Sequence, residues 1–183
     1  MKRDLRWKLL EQKSLLKDQW INLRANTYQM PDGHIVTPYY ILDYPHWINV
    51  TAITEKNDVV MIRQYRPGRD EVAWELPGGM MDEGEDSLET ARRELLEETG
   101  YAAEHFVEVA RTSVNPASHT NLSITILATG AHYVAAPQLE ASEDIEVRLM
   151  PLEEVMTLLR RNKISQMMDV ASLFYVREWL DKV

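Results

Sequence analysis

The sequence predicts an α/β fold in which helices cover a mixed β-sheet. Short segments rich in β-branched and aromatic residues alternate with turn residues over the first third of the chain, a pattern typical of consecutive strands. One capped helix follows a glycine-containing loop, and two apolar-periodic helices close the sequence. Because strands and helices do not alternate regularly, we expect a mixed sheet rather than a purely parallel one.

The amino-terminal part is expected to be an antiparallel meander. Its predicted strands span residues 7–15, 18–29 and 35–43, and a Pro-Asp-Gly turn separates the last two. The length of 183 residues suits one domain with a small extension. We therefore divide the chain into an extension, residues 1–45, and a main domain, residues 46–183.

The main domain begins with two strands that flank a short hairpin loop at residues 55–57. A helix from Ser87 to Thr99 follows, with Asp86 as its N-cap and Glu89 completing a capping box. The remaining predicted elements of this domain are strands at 47–54, 58–66, 104–113, 122–129 and 145–150 and helices at 152–162 and 166–181.

Composition restricts the class of partner. The net charge of -9 argues against a broad surface for nucleic acid or anionic membranes. The absence of cysteine leaves neither a disulfide framework nor a thiolate site. The first residues carry positive charge but lack the apolar region of a signal peptide, and no segment has the length and apolarity of a membrane span. We expect a cytoplasmic protein that binds neither nucleic acid nor membrane.

Three glutamates share one face at the end of the predicted helix. Glu94, Glu97 and Glu98 repel one another at this spacing, and the helix macrodipole disfavours negative charge at that end. A hard divalent cation would offset both effects, because Mg²⁺ and Mn²⁺ prefer oxygen ligands. The preceding Gly78 and Gly79 allow close approach of the backbone. The alternative interpretation is an ordinary solvated acidic helix.

The stretch around these glutamates resembles the Nudix hydrolase signature, G-x5-E-x7-R-E-U-x-E-E-x-G-U, where U is a bulky aliphatic residue. Tyr101 departs from it, because that family usually has Ile, Leu or Val there. The resemblance implies an α/β/α sandwich with a mixed sheet and an amino-terminal antiparallel β extension. It also implies metal-dependent cleavage of a nucleoside diphosphate linked to another group. The matching residues are Gly79, Glu85, Arg93, Glu94, Leu95, Glu97, Glu98 and Gly100.

The resemblance also implies roles for the residues of the signature. Glu94 and Glu98 would be the principal ligands of Mg²⁺, with Mn²⁺ as a substitute. The Gly78 carbonyl would be a third ligand, and Glu97 would bind directly or through water. Arg93 would orient these carboxylates by pairing with one of two acidic residues, Glu85 or Glu89.

Residues outside the signature indicate the substrate. Family members that act on ADP-ribose and related nucleoside diphosphate sugars carry a proline about 15 residues beyond the box, and Pro116 occupies that position. Arg66 matches an arginine that contacts the pyrophosphate. Glu85 is also assigned to substrate binding, and Tyr28 is the candidate for stacking on the base. Tyr39, Tyr40 and Trp47 are further stacking candidates, and His119 and Asn121 are candidates for sugar specificity.

The catalytic base is expected in the acidic segment 139–147. Glu143 fits one family glutamate, but the position two residues before it is Ala141, so Glu140 is the nearest substitute for the second. Either carboxylate could activate water when the loop closes on substrate. The alternative is an exposed acidic loop without a catalytic role.

Together these features predict a Mg²⁺-dependent nucleoside diphosphate sugar pyrophosphatase. ADP-ribose is the leading substrate, with GDP-mannose among the others, and the amino-terminal strands would pair two copies into a homodimer. One alternative is a Nudix enzyme for nucleoside triphosphates or dinucleoside polyphosphates. Another is a non-catalytic nucleotide-sugar sensor, against which the intact glutamates argue.

Overall fold

A computed structural model describes residues 3–182. The chain forms two compact units, one of Met1–Pro45 with Ser113–Leu122 and the other of His46–Thr112 with Ser123–Val183. The predicted extension therefore lies wholly within the first unit. That unit also takes in Ser113–Leu122, which the sequence placed with the main domain.

The first unit is built on a three-stranded antiparallel sheet in chain order. The second strand begins later than predicted, because the Asp18 carboxylate accepts the backbone N–H groups of Trp20 and Ile21 and holds a turn there. The first strand runs correspondingly further. The strands are β1 Lys8–Lys17, β2 Asn22–Gln29 and β3 Ile35–Leu42.

Strand β1 lies at an edge of this sheet and is exposed along its whole length. Its leucines are about half exposed, from 46% at Leu15 to 50% at Leu16. Trp7, Tyr28 and Tyr39 form an edge-to-face cluster with ring centroids 5.6–6.2 Å apart. An unpaired apolar edge is a surface that proteins usually cover.

The second unit contains a six-stranded mixed sheet and a two-stranded one. The strands are β4 Trp47–Ile53, β5 Asp58–Arg66, β6 Glu71–Glu75, β7 Tyr101–Ala102, β8 His105–Ser113, β9 Leu122–Thr129, β10 His132–Tyr133 and β11 Glu146–Pro151. The order in the large sheet is β11-β5-β4-β9-β8, with β6 added beside β5. Strand β4 pairs in parallel with β9 and antiparallel with β5. The predicted mixed α/β fold is confirmed.

Three helices complete the second unit: α1 Ser87–Thr99, α2 Leu152–Arg160 and α3 Met167–Leu180. Six consecutive residues of β4, Ile48 to Ile53, are buried, so both faces of this strand are covered. Helices α1 and α3 both contact β4. No helix within residues 3–182 is long and apolar enough to cross a membrane.

Asp86 caps the start of α1 as predicted, and Gly100 caps its end. The Asp86 carboxylate accepts the Leu88 N–H at 2.9 Å, and Gly100, at φ 72°, donates its N–H to Leu96 O at 2.8 Å. The capping box is only half formed, because within the described part of the chain the Glu89 carboxylate does not accept a hydrogen bond from the Asp86 N–H. The N-cap alone fixes the start of the helix.

Polar side chains are buried between the sheet and α3. Asn49 on β4 donates to Ser123 Oγ on β9 at 2.9 Å, and Thr125 on β9 shares a 2.8 Å hydrogen bond with Ser172 on α3. Asp169, also on α3, is completely buried. Buried polar groups are costly unless they are paired, so this layer is a specific contact between α3 and the sheet.

Candidate active site

The double-glycine loop runs beside β4 and is fixed through its backbone. Ile48 N–H donates to Gly79 O, and Val50 N–H donates to Pro77 O, both at 2.9 Å. Gly78 N–H donates to Glu98 Oε2 at 2.8 Å. The loop is therefore held between the central strand and the acidic face of α1.

Glycine is required at positions 78 and 79 because other atoms of the protein lie where a side chain would begin. A Cβ atom on Gly78 would collide with the backbone carbonyl oxygen of Ile48, and one on Gly79 would collide with the Glu94 carboxylate. The obstacle differs between the two positions. At Gly78 it is backbone in a strand, whereas at Gly79 it is the end of a flexible side chain.

The three glutamates of α1 differ in burial. Glu98 is only 5% exposed. The Glu94 side chain is 12% exposed and that of Glu97 is 45% exposed. Of these three glutamates, Glu98 is buried and Glu94 is largely covered, whereas an ordinary solvated acidic face would leave all three exposed.

Arg93 is the counter-charge of this cluster. Its guanidinium donates to both carboxylate oxygens of Glu85 at 3.2 Å, to Glu94 at 2.8 Å and to Glu97 at 3.2 Å. A further hydrogen bond reaches Met80 O. Of the two partners expected from the sequence, Glu85 is the one that pairs with Arg93. Within the described residues Glu85 holds Arg93, and its assignment to substrate binding stays a prediction.

Burial and like charge raise the carboxylate pKa values. Burial raises the pKa of Glu98 to about 8, and the charges of Glu94 and Glu143 add to the effect, while the Gly78 N–H and Arg66 oppose it. Burial likewise raises the pKa of Glu94, although Arg93 counteracts this. Without a cation, the site therefore favours a proton on Glu98 near neutral pH.

The two candidate bases lie in different environments. Glu143 is half-buried and close enough to Glu94 and Glu98 to raise both of their pKa values, whereas Glu140 is exposed. The backbone N–H of Glu140 donates to Glu143 Oε2 at 2.9 Å. The geometry thus favours Glu143 as the group that faces the cluster, with Glu140 fixing its side chain.

Arg66, the predicted pyrophosphate contact, is held by a residue that sequence reasoning missed. Its Nε donates to Glu75 Oε1 at 2.8 Å, and its terminal nitrogen forms an ion pair with Glu75 Oε2 at 2.5 Å. Glu75 is only 2% exposed, while Arg66 is 35% exposed. Arg66 also lies close enough to Glu98 to lower its pKa. The partnership spans β5 and β6, and β6 was not predicted.

The donor set suits a divalent cation but is not arranged around one. Within residues 3–182, no group of three or more His, Cys, Asp or Glu side chains forms a ready metal cluster. The carboxylates instead turn toward Arg93 and the Gly78 N–H. Buried carboxyl oxygens with raised pKa values, beside a glycine loop, nevertheless fit a hard cation, because positive charge would relieve their desolvation.

The candidates Tyr28, His119 and Asn121 lie in the first unit. Tyr28 lies in the aromatic cluster with Trp7 and Tyr39, and its hydroxyl accepts a hydrogen bond from Asn26. His119 stacks on Tyr44 with centroids 5.6 Å apart. The roles of Tyr28 in base stacking and of His119 in sugar specificity stay predictions, as does that of the buried Asn121.

Comparison with known proteins assigns the family. A NUDIX domain model matches residues 45–169. The chain belongs to the Nudix family. The ADP-ribose pyrophosphatase of Bacillus subtilis is 27% identical over 163 residues, covering 86% of this chain and 88% of that protein. The methanol dehydrogenase activator of Bacillus methanolicus is 27% identical over 176 residues, covering 93% of this chain and 95% of that protein.

A solved structure agrees with this assignment at the level of the fold. The crystal structure of an ADP compounds hydrolase matches with a TM-score of 0.87, covering 99% of this chain and 98% of that chain, at 22% sequence identity. The predicted Nudix fold is confirmed.

We predict that alanine at the two glycines separates folding from activity. Gly79→Ala should lower catalytic turnover at least about tenfold with little change in melting temperature, because the Glu94 carboxylate can move aside but then leaves its position. Gly78→Ala should lower the melting temperature as well, because it meets the backbone of β4. Thermal melts and initial rates test both. Equal melting losses would contradict the distinction.

We also predict a pH-dependent stability difference for Glu98→Gln in chelator. The folded-state pKa of Glu98 is about 8, above the unfolded value of about 4.3, so the native parent binds more protons between these values. Its stability must therefore fall as pH rises through this window. Glutamine lacks this titration.

The melting temperature of Glu98→Gln should come closest to that of the parent near pH 4, below the unfolded pKa, and should exceed it by at least about 3 °C near pH 8. Differential scanning fluorimetry across this range measures the difference. A constant offset at every pH would show that Glu98 does not titrate in this way.

Proposed function

We propose that this Nudix protein hydrolyses the pyrophosphate bond of ADP-ribose and related nucleoside diphosphate sugars, releasing a nucleoside monophosphate and a sugar phosphate. The observation that carries the proposal is the placement of the buried Glu98 and the largely covered Glu94 against the double-glycine loop, with Arg66 and Glu143 in electrostatic range. The similarity to a protein named ADP-ribose pyrophosphatase over most of both chains supports the substrate class.

The proposed cofactor is Mg²⁺, with Mn²⁺ as a substitute, held by Glu94, Glu98, Glu97 and the Gly78 carbonyl. A bound divalent cation would neutralise the pyrophosphate and lower the pKa of a coordinated water. Arg93 keeps Glu94 and Glu97 oriented through its hydrogen bonds, and Glu85 keeps Arg93 in place.

The protein groups then have separate tasks in hydrolysis. Arg66 binds a pyrophosphate oxygen through charge-assisted hydrogen bonds. The Glu143 carboxylate takes a proton from water as the water oxygen bonds to phosphorus, and the bridging P–O bond breaks toward the departing phosphate. The Glu140 N–H orients Glu143 for this transfer.

A regulatory role is a second candidate. The methanol dehydrogenase activator of Bacillus methanolicus matches 93% of this chain, which favours action on a partner enzyme. A purely non-catalytic role is disfavoured, because it would not require burial of the glutamate pair at a cost in desolvation.

A substrate panel tests the proposed activity. We expect release of monophosphate from ADP-ribose in Mg²⁺, slower release from GDP-mannose or UDP-glucose, and little from dGTP. Excess chelator should abolish the reaction, and Mg²⁺ or Mn²⁺ should restore it. Undiminished turnover in chelator would overturn the metal-dependent mechanism, and preference for dGTP would overturn the substrate class.

For the catalytic base, we predict that Glu143→Gln lowers kcat by at least about a hundredfold, because its carboxylate takes the proton. Glu140→Gln is the matched control in the same loop. It should stay within about threefold of the parent, because its side chain is exposed and its backbone N–H is unchanged. Initial rates at saturating substrate measure both. Comparable losses of kcat in the two variants would show that turnover depends on the structure of the loop rather than on the Glu143 carboxylate.

We further propose that the protein is a homodimer assembled through β1. The support is the unpaired edge of β1 and its row of exposed apolar residues, namely Leu9, Leu10, Leu15 and Leu16. A cytoplasmic location without nucleic-acid or membrane binding stays a prediction, supported by the net charge of -9 and the absence of cysteine.

The double variant Leu10→Glu/Leu15→Glu should convert a dimer into a monomer at micromolar concentration, because it places charge on the proposed interface. Val72→Glu is the matched control, since Val72 is a strand residue that is 60% exposed but lies on β6. Light scattering after size exclusion gives the masses. A monomeric parent would rule out the dimer, and dissociation by Val72→Glu would rule out β1 as its location.

A further inference from the structure

Asp169 is a completely buried carboxyl group in the first turn of α3. Its Oδ2 accepts the backbone N–H of Leu76 at 3.3 Å. Its Oδ1 has no hydrogen-bond partner within residues 3–182, although the Gln166 side chain lies close enough to affect its ionisation. A buried polar atom without a partner costs free energy, and packing alone does not require a carboxyl group at this position.

The contact joins two parts of the candidate site. Leu76 follows Glu75, which binds the guanidinium of Arg66, and it precedes the loop that begins at Pro77. The negative charge of Glu75 also raises the pKa of the Asp169 carboxyl. Residues 76 and 169 are 93 positions apart in the chain. A single side chain on the carboxyl-terminal helix thus contacts the point between the substrate arginine and the glycine loop.

The other backbone anchors of this segment come from elsewhere. Pro77 O and Gly79 O are fixed by β4, and the Gly78 N–H is fixed by Glu98 on α1. Among the described residues, Asp169 is the partner of the Leu76 N–H. Helix α3 therefore contributes one anchor, at the upstream end of the loop.

We propose that Asp169 is a positioning residue that fixes Leu76 and thereby holds both the Arg66–Glu75 pair and the glycine loop in register with the glutamates of α1. Its role in turnover rests on the proposed pyrophosphatase function. The hydrogen bond itself is independent of that function.

Oδ2 of Asp169 is the hydrogen-bond acceptor for the Leu76 N–H, whichever protonation state the carboxyl has. Burial raises its pKa well above the usual range, and the Glu75 charge adds to this. A neutral carboxyl is close in shape to a carboxamide, and the oxygen of an asparagine can also accept the Leu76 N–H. Asparagine should therefore preserve the anchor, whereas alanine should remove it.

Three variants test the proposal: Asp169→Ala, Asp169→Asn and the matched control Ser172→Ala. Ser172 is also completely buried on α3, and its hydroxyl bonds to Thr125 rather than to the loop. The first readout is kcat/KM for ADP-ribose, alongside the melting temperature. The second is hydrogen–deuterium exchange of peptides covering residues 71–82 in the substrate-free protein.

We expect Asp169→Ala to lower kcat/KM at least about tenfold and to speed exchange around Leu76. Ser172→Ala should lose thermal stability but keep kcat/KM and exchange at 71–82 within about twofold of the parent. Asp169→Asn should recover kcat/KM to within about threefold. Should Asp169→Ala fail to fold, a loss in Asp169→Asn as large as that of Arg66→Ala would overturn the acceptor role, and recovery would support it.

Equal losses of kcat/KM in Asp169→Ala and Ser172→Ala would overturn the proposal, because they would indicate a general effect of core disruption. Parent protein that does not hydrolyse ADP-ribose would refute the proposed function alone. The exchange data would then decide on Asp169: local deprotection in Asp169→Ala but not in Ser172→Ala supports the anchor, and unchanged exchange overturns it.

Discussion

The site depends on the confinement of mutually repelling carboxylates against a backbone loop. The buried Glu98 and the largely covered Glu94 lie within about one helical turn of each other, and Glu143 approaches them from another segment. Such a group is unstable in isolation, because each additional charge raises the cost of ionising the others. The positive charge of Arg93 offsets part of this cost. Arg93 binds three separate carboxylates, as a guanidinium can because its donors are fixed in a planar fork.

The same confinement explains the glycines. Gly78 can lie against the Ile48 carbonyl, and the Glu94 carboxylate can lie against Gly79, only because the two glycines have no side chains. The loop must at the same time stay within hydrogen-bonding distance of β4. The loop backbone thus lies in direct contact with β4, and the carboxylates of Glu94 and Glu98 contact the loop from α1. Precision at the site follows from backbone contacts rather than from long side chains.

Local signals predicted the parts of this arrangement that depend on neighbours in the chain. Helix α1 has the predicted limits because Asp86 and Gly100 specify its ends without help from the rest of the fold. The two-residue strands β7 and β10 are too short to show any periodicity, and β6 was not predicted.

Interaction partners that lie far apart in the chain could not be predicted from local sequence signals. The choice of Glu85 over Glu89 as the partner of Arg93 is set by the path of the loop, since both spacings are compatible with an ion pair. The acceptor for Leu76 lies on the last helix, far along the chain. The sequence does carry one signal for Glu75, which stands among the apolar residues of the segment VAWEL, because an acidic residue that is buried in such a segment usually requires a partner.

Charge balance finally constrains how an anionic substrate could enter. The cationic groups of the site are already engaged: Arg93 with Glu85, Glu94 and Glu97, and Arg66 with Glu75. Glu98 and Glu143 add further negative charge when ionised. A pyrophosphate approaching this site would meet net repulsion, so arginine pairing alone cannot account for substrate binding. Divalent cations must supply the missing positive charge, and substrate affinity should therefore be linked to cation binding.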